Sequence, residues 1–258
     1  MVARGILVVV ALSMPPAAAL AVLPDEIQVY TNDLVAPGER SIELHVNTTP
    51  KGRGTPDFPG EVTSAHGLRV TPELTWGLTQ STDFGLYLPV VRDAEGRLLF
   101  GGPKIRYKWL PLRPAEDGAG WFVGANGEYS MLNRNFETAT RKIELRPILG
   151  WRDRDWLFAA NPVLDWALNG PDSGRRPDFN PSFKIAHTAA QGVALGFEYY
   201  AELGRLGRPL ASAAQLRTLY VAMEWERGPI PFHLAVGRGL NEATDRWTVK
   251  AIFEFPFK

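Results

Sequence analysis

The chain of 258 residues has four histidines, at positions 45, 66, 187 and 233, and no cysteine. A thiolate nucleophile, a thiolate metal site, a disulfide framework and a lipid-bearing N-terminal cysteine are therefore excluded. The histidines stand far apart, with no H-x-x-x-H, no G-x-S-x-G and no glycine-rich phosphate loop around them. Metal ligation finds no support in that spacing. Glu43 and His45, two positions apart on one lumen face, are the one candidate acid–base dyad, and their types and spacing favour a structural pair over a catalytic one. The expectation is no enzyme, no cofactor and no metal.

What remains as chemistry is charge at a spacing of two. Lys104, Arg106 and Lys108 form one such ladder, and Lys142, Glu144 and Arg146 another. Arg69, Glu73, Glu128, Glu198 and Glu224 fall in phase with their own segments in the same way. Residues two apart share a face only on a β-strand. Gathered on one wall, these charges could orient a polar or anionic solute along a pore, with the ladder at 104–108 facing Glu128. They could equally neutralise one another and fill a narrow lumen. The whole chain is balanced, with 28 Lys+Arg against 28 Asp+Glu. That balance argues against a nucleic-acid partner, whose binding needs a basic surface to neutralise phosphates.

The elements that must carry these residues are strands. In 247–257, Trp247, Val249, Ala251, Phe253, Phe255 and Phe257 face one way, and Thr248, Lys250, Ile252, Glu254 and Pro256 the other. On a helix those aromatics would scatter round the whole circumference. The same period recurs in twelve segments, near 41–48, 67–78, 83–91, 103–110, 121–132, 140–152, 156–166, 179–188, 193–202, 216–226, 232–238 and 247–257. Lengths near ten residues suit strands that cross a bilayer at a tilt. The links alternate, long at 49–66, 92–102, 167–178 and 203–215, short at 79–82, 153–155, 189–192 and 228–231. That asymmetry fits a membrane barrel and not a two-sheet sandwich. The link at 111–120, which should be short, breaks the pattern. Trp and Tyr lie near segment ends, as interfacial girdles require. Pro72, Pro89, Pro147, Pro162, Pro181 and Pro256 fall inside the segments, where bulges, rim positions or a lumen water are expected to absorb the lost hydrogen bonds.

The start of the chain reads as an export signal. Arg4 precedes the apolar run at 5–12, and small residues lead to Ala19-Leu20-Ala21, a cleavage site after Ala21. No later apolar run is long enough for a membrane helix. The expected organisation is a signal peptide at 1–21, an extension at 22–40 (a lumen plug, a thirteenth strand or a periplasmic tail), and a barrel at 41–258.

Several stretches form a familiar series: 68–74 (LRVTPEL), 86–89 (LYLP), 101–108 (GGPKIRYK), 144–151 (ELRPILGW), 161–165 (NPVLD), 195–200 (LGFEYY) and 237–250 (GRGLNEATDRWTVK). Together they resemble the bacterial outer-membrane β-barrel family labelled for the meta-pathway of phenol degradation, whose members are described as transporters. The resemblance spans nearly the whole mature chain and brings no catalytic or binding residues to transfer. It implies a place in the Gram-negative outer membrane and, through the inherited label, aromatic solutes. The alternating Phe253, Phe255 and Phe257 resemble the terminal signal read by the barrel-assembly machinery, with Lys258 departing from the usual final aromatic.

The fold class expected is thus all-β: a closed antiparallel transmembrane barrel of about twelve strands. The expected function is a passive, porin-like channel for small solutes, its partners being outer-membrane lipid, the assembly machinery and the solute. The alternatives are an adhesive or structural barrel with a charge-paired, closed lumen, or a barrel-embedded hydrolase.

Overall fold

A computed structural model describes residues 26–115 and 118–257. The expected signal peptide lies outside the described residues. Twelve long strands form one antiparallel wall: β1 (Arg40–Lys51), β2 (Leu68–Thr79), β3 (Thr82–Tyr87), β4 (Lys104–Leu112), β5 (Gly120–Met131), β6 (Arg141–Arg152), β7 (Trp156–Ala167), β8 (Asp178–Ala190), β9 (Val193–Glu202), β10 (Leu216–Trp225), β11 (Phe232–Gly239) and β12 (Trp247–Phe257). Each pairs with its neighbours in sequence, and β1 closes the ring by pairing with β12 from Arg40↔Phe257 to Thr48↔Val249. Closure leaves no long edge strand to pair with another chain. All twelve segments read from the alternation of residue types are strands, with ends displaced by a few residues.

The alternation is inverted relative to a soluble protein. Trp121, Phe197 and Val221 are 68%, 52% and 62% exposed on the outer face, along with Tyr107, Trp109 and Leu195. Arg69, Glu73, Lys104, Arg106, Glu128, Glu198 and Lys250 are buried on the inner face. A continuous apolar outside far exceeds what a water-soluble monomer exposes, whereas hydrocarbon demands it. Six of the eight tryptophans (76, 109, 121, 151, 156 and 225) sit at the short-turn rim, and Trp166 and Trp247 at the loop rim.

Three local expectations are revised. The link at 92–102 is largely wall: Val90–Arg92 stays on the β2 register, pairs with Leu98–Phe100, and carries the barrel outward past Leu88 and Pro89. The misfit at 111–120 shrinks because β4 runs on to Leu112 through a register shift between Trp109 and Leu112. The prolines of β6, β7 and β8 need no bulge. Pro162 lies opposite Pro181, the ladder between β6 and β7 lapses between Leu145↔Leu164 and Leu149↔Ala160, and the register is unchanged across the lapse, placing Pro147 beside Pro162. Three donorless residues thus fall in one row instead of breaking three separate rungs.

The candidate solute path inside the barrel

Residues 26–39 form no strand. They run inside the wall. Lys250 Nζ on β12 donates to the Ile27 carbonyl (2.7 Å), and Arg146 Nη1 on β6 to the Gln28 carbonyl (3.0 Å). Asn161 on β7 accepts the Tyr30 amide (2.6 Å) and donates back to the Tyr30 carbonyl (3.1 Å). Farther along, the Gly38 amide donates to Gly77 on β2 (3.0 Å), and the Gly77 amide to Glu39 (3.1 Å). Partners on strands all round the ring place this segment across the lumen. Its apolar side chains cover apolar positions of the inner face: Val29 and Tyr30 pack on Leu110, Phe122 and Ile148, and Ile27 on Tyr220, Ala222 and Ala235.

Tyr30 is the centre of this contact. Its hydroxyl bonds that of Tyr87 (2.7 Å), and Arg146, Lys108 and Arg106 lie 4.4, 5.1 and 5.9 Å from its ring centroid. Cations at such distances are attracted to the ring face, the more so when desolvated.

The charged residues singled out from the sequence all lie on the inner face. Arg106 donates through Nε to Glu73 Oε1 (2.7 Å), through Nη1 to Asp83, and through Nη2 to Thr75 (3.1 Å). Lys108 is 3.7 Å from Asp83. Of the ladder expected to face Glu128, Lys104 pairs with it (2.8 Å) and also approaches Glu26 (3.9 Å). Arg146 pairs with Glu144 (2.9 Å) and with Glu26 (3.5 Å). Lys142 bonds Asp165 (2.6 Å) and Glu137 (3.3 Å). Lys184 joins Glu224 and Glu198, and Glu198 also holds Lys250 (2.5 Å). Arg69 stacks its guanidinium 5.1 Å over the Phe136 ring. Buried charges need such partners, because removing an ion from water costs several kcal/mol. Glu26, Tyr30, Tyr87 and Asn161 belong to the same network and are absent from the sequence-based set. Tyr87 and Asn161 were legible as inward positions of their strands, but nothing local marks Glu26 or Tyr30.

Between segment and loops lies a cavity of about 310 Å³, floored by Glu26, Ile27 and Gln28 and walled by Arg69, Glu144, Glu202 and Thr248 among others. Its size is at the small end of the range of small-molecule sites. The loop at 52–67 folds over the rim: Asp245 accepts from the Arg53 amide (2.8 Å) and from Ser64 (2.6 Å), and Val62 packs with Val91 and Phe136.

No family model matches the chain, and no curated relative matches it. Solved structures do. An outer membrane channel from Pseudomonas putida F1 superposes with a TM-score of 0.62 at 12% identity, over 90% of this chain and 100% of that one. The NanC porin gives 0.55 at 9% identity and the KdgM porin 0.53 at 10%, each over 84% of this chain and 99% of its own. At such identities the likeness is one of fold, and the fold is the twelve-stranded transmembrane barrel.

Proposed function

We propose that the chain is a passive outer-membrane channel for small solutes, gated by its own residues 26–38. The observation that carries this reading is the loop-end cavity whose floor is the N-terminal segment and not the wall. A barrier built from a strandless piece of chain can withdraw without disturbing a single wall rung. The printed names of the similar structures, a channel and two porins, support transport and an outer-membrane place. In this reading bilayer lipid covers the outer face, and the β12 aromatics address the chain to the assembly machinery.

The solutes proposed are small and include hydroxyaromatic ones, in keeping with the family resemblance. Tyr30 itself is a phenol ring held among three cations and a hydroxyl. The charged set of Arg69, Glu73, Lys104, Arg106, Lys108, Glu128, Lys142, Glu144, Arg146, Glu198 and Glu224 then forms the path. For the hydrolase alternative, His45 offers little: its hydrogen-bond partner among the described residues is the carboxylate of Glu73.

The test is planar-bilayer conductance of the mature chain beside a chain lacking residues 26–38. The intact protein should show small, intermittent conductance and the truncated one a large, steady conductance, with phenolic competitors reducing current more than sugars do. A truncated barrel that folds and still does not conduct would falsify the reading.

A further inference from the structure

Glu73, Glu43 and Glu254 lie side by side on β2, β1 and β12, each directly opposite the next in register. Like charges directly opposite one another on a sheet repel, so a row of three carboxylates calls for a cation. The wall supplies Lys108, whose ammonium is 3.7 Å from Asp83, and Arg106. Arg106 is committed to Glu73 Oε1 and to Asp83. Among the described residues, the cation-capable group within 4 Å of Glu43 is His45, two positions along the same strand.

The three donors converge. His45 Nε2 is 3.2 Å from Glu73 Oε2 and 3.8 Å from Glu43 Oε2, and all three atoms lie within 4.8 Å of one another. Zinc bound tetrahedrally at about 2.0–2.1 Å to nitrogen and oxygen sets its ligands roughly 3.3 Å apart, so small side-chain movements suffice. The donors stand on two paired strands, the rigid kind of scaffold a metal site needs. Glu73 is also pre-aimed: Arg106 and Thr75 (3.1 Å) hold Oε1, turning Oε2 towards His45, as outer partners orient ligating carboxylates elsewhere. His45 and Glu73 are each 1% exposed, whereas Glu43 is 21% exposed and gives an ion a way in.

We infer that Glu43, His45 and Glu73 form a binding site for a divalent transition metal of the zinc type, which ties β1 to β2 beside the barrel closure. One imidazole with two carboxylates suits zinc and its first-row neighbours better than magnesium or calcium, which favour all-oxygen sets. On binding, an imidazolium at His45 releases its Nε2 proton to solvent, whereas a neutral ring shifts its one proton to Nδ1; in both cases Nε2 is freed and the metal sits between it and the carboxylates.

The experiment uses untagged, detergent-folded mature protein stripped of metal and dialysed against graded Zn²⁺, with bound zinc counted per chain. One equivalent is expected, unaffected by excess Mg²⁺ or Ca²⁺. His45→Ala and Glu43→Gln should each weaken binding about tenfold or more, a loss at least as large as that for outer-sphere partners. Glu202→Gln, in the distant cavity, should bind as the parent does. Fewer than one equivalent, or parental affinity in both His45→Ala and Glu43→Gln, overturns the site. Should a variant fail to fold, Co²⁺ added to the parent protein decides: tetrahedral visible bands that Zn²⁺ abolishes support the site, and their absence refutes it. None of these readouts depends on conductance, so this site and the channel reading can fail separately.

Discussion

Asn161 and Tyr30 are 131 positions apart, yet the side-chain amide of one satisfies both backbone polar groups of the other, at 2.6 and 3.1 Å. A segment without secondary structure has no ladder of its own, so its buried peptide groups must be met by wall side chains. Asn161 therefore does for the strandless segment what a neighbouring strand would do. Asn161→Ala should remove two hydrogen bonds worth about 0.5–1.5 kcal/mol each. Single-channel recordings should show open time rising roughly tenfold, while the unfolding midpoint of the wall shifts little. Unchanged open time would mean that the segment is held elsewhere.

Gly77 offers a test that leaves every charge in place. A methyl group on its inward face would run into the carbonyl groups of Ala36 and Val35. Gly77→Ala should therefore push the segment off β2 and raise conductance, with the barrel still resisting unfolding on unboiled gels. If conductance matches the parent, the contact at 35–36 plays no part in closing the lumen.

Arg106 joins Glu73 on β2, Asp83 on β3, and the hydroxyls of Thr75 and Tyr87 from its place on β4. Arg106→Ala strands two buried carboxylates, a loss of about 3–5 kcal/mol by the usual cost of breaking a buried pair. Denaturant titration in detergent should show that drop. Arg106→Lys should recover only part of it, because an ammonium cannot reproduce the flat fork of donors. Full recovery by lysine would reduce the role of Arg106 to charge alone.

Asp245 pins the loop at 52–67 through Arg53 and Ser64. Asp245→Ala should expose the bond after Arg53, so that trypsin cuts the folded barrel there several times faster than the parent. Equal cleavage rates would show that Val62 and its neighbours hold the loop unaided.

The strands were legible because lipid outside and charge inside enforce a period of two, as plainly in 247–257 as in 103–110. The lumen contents were not. At Trp109-Leu110 and Trp121-Phe122-Val123 both faces are apolar; the phase of Lys108 and Glu128 turns Leu110 and Phe122 inward, but nothing in it reveals that they receive Val29 and Tyr30. The segment at 26–38 has no periodicity to read because its bonds go to scattered wall residues far off in the sequence, from Gly77 and Tyr87 to Asn161 and Lys250. The grouping of Glu43 and His45 with Glu73 was equally hidden, since it depends on the β1–β2 register across the long link between them. The charges themselves were visible at their spacing of two, but their choice of partners was not: Glu128 takes Lys104 and leaves Arg106 to Glu73.

The crowding of six tryptophans at the short-turn rim has a mechanical consequence. Indole rings settle at the boundary between headgroups and acyl chains, so the molecule is moored from one leaflet. A thicker or thinner bilayer is then accommodated at the opposite rim, which carries two tryptophans and the hairpin of 90–100, while the depth of the moored rim stays constant.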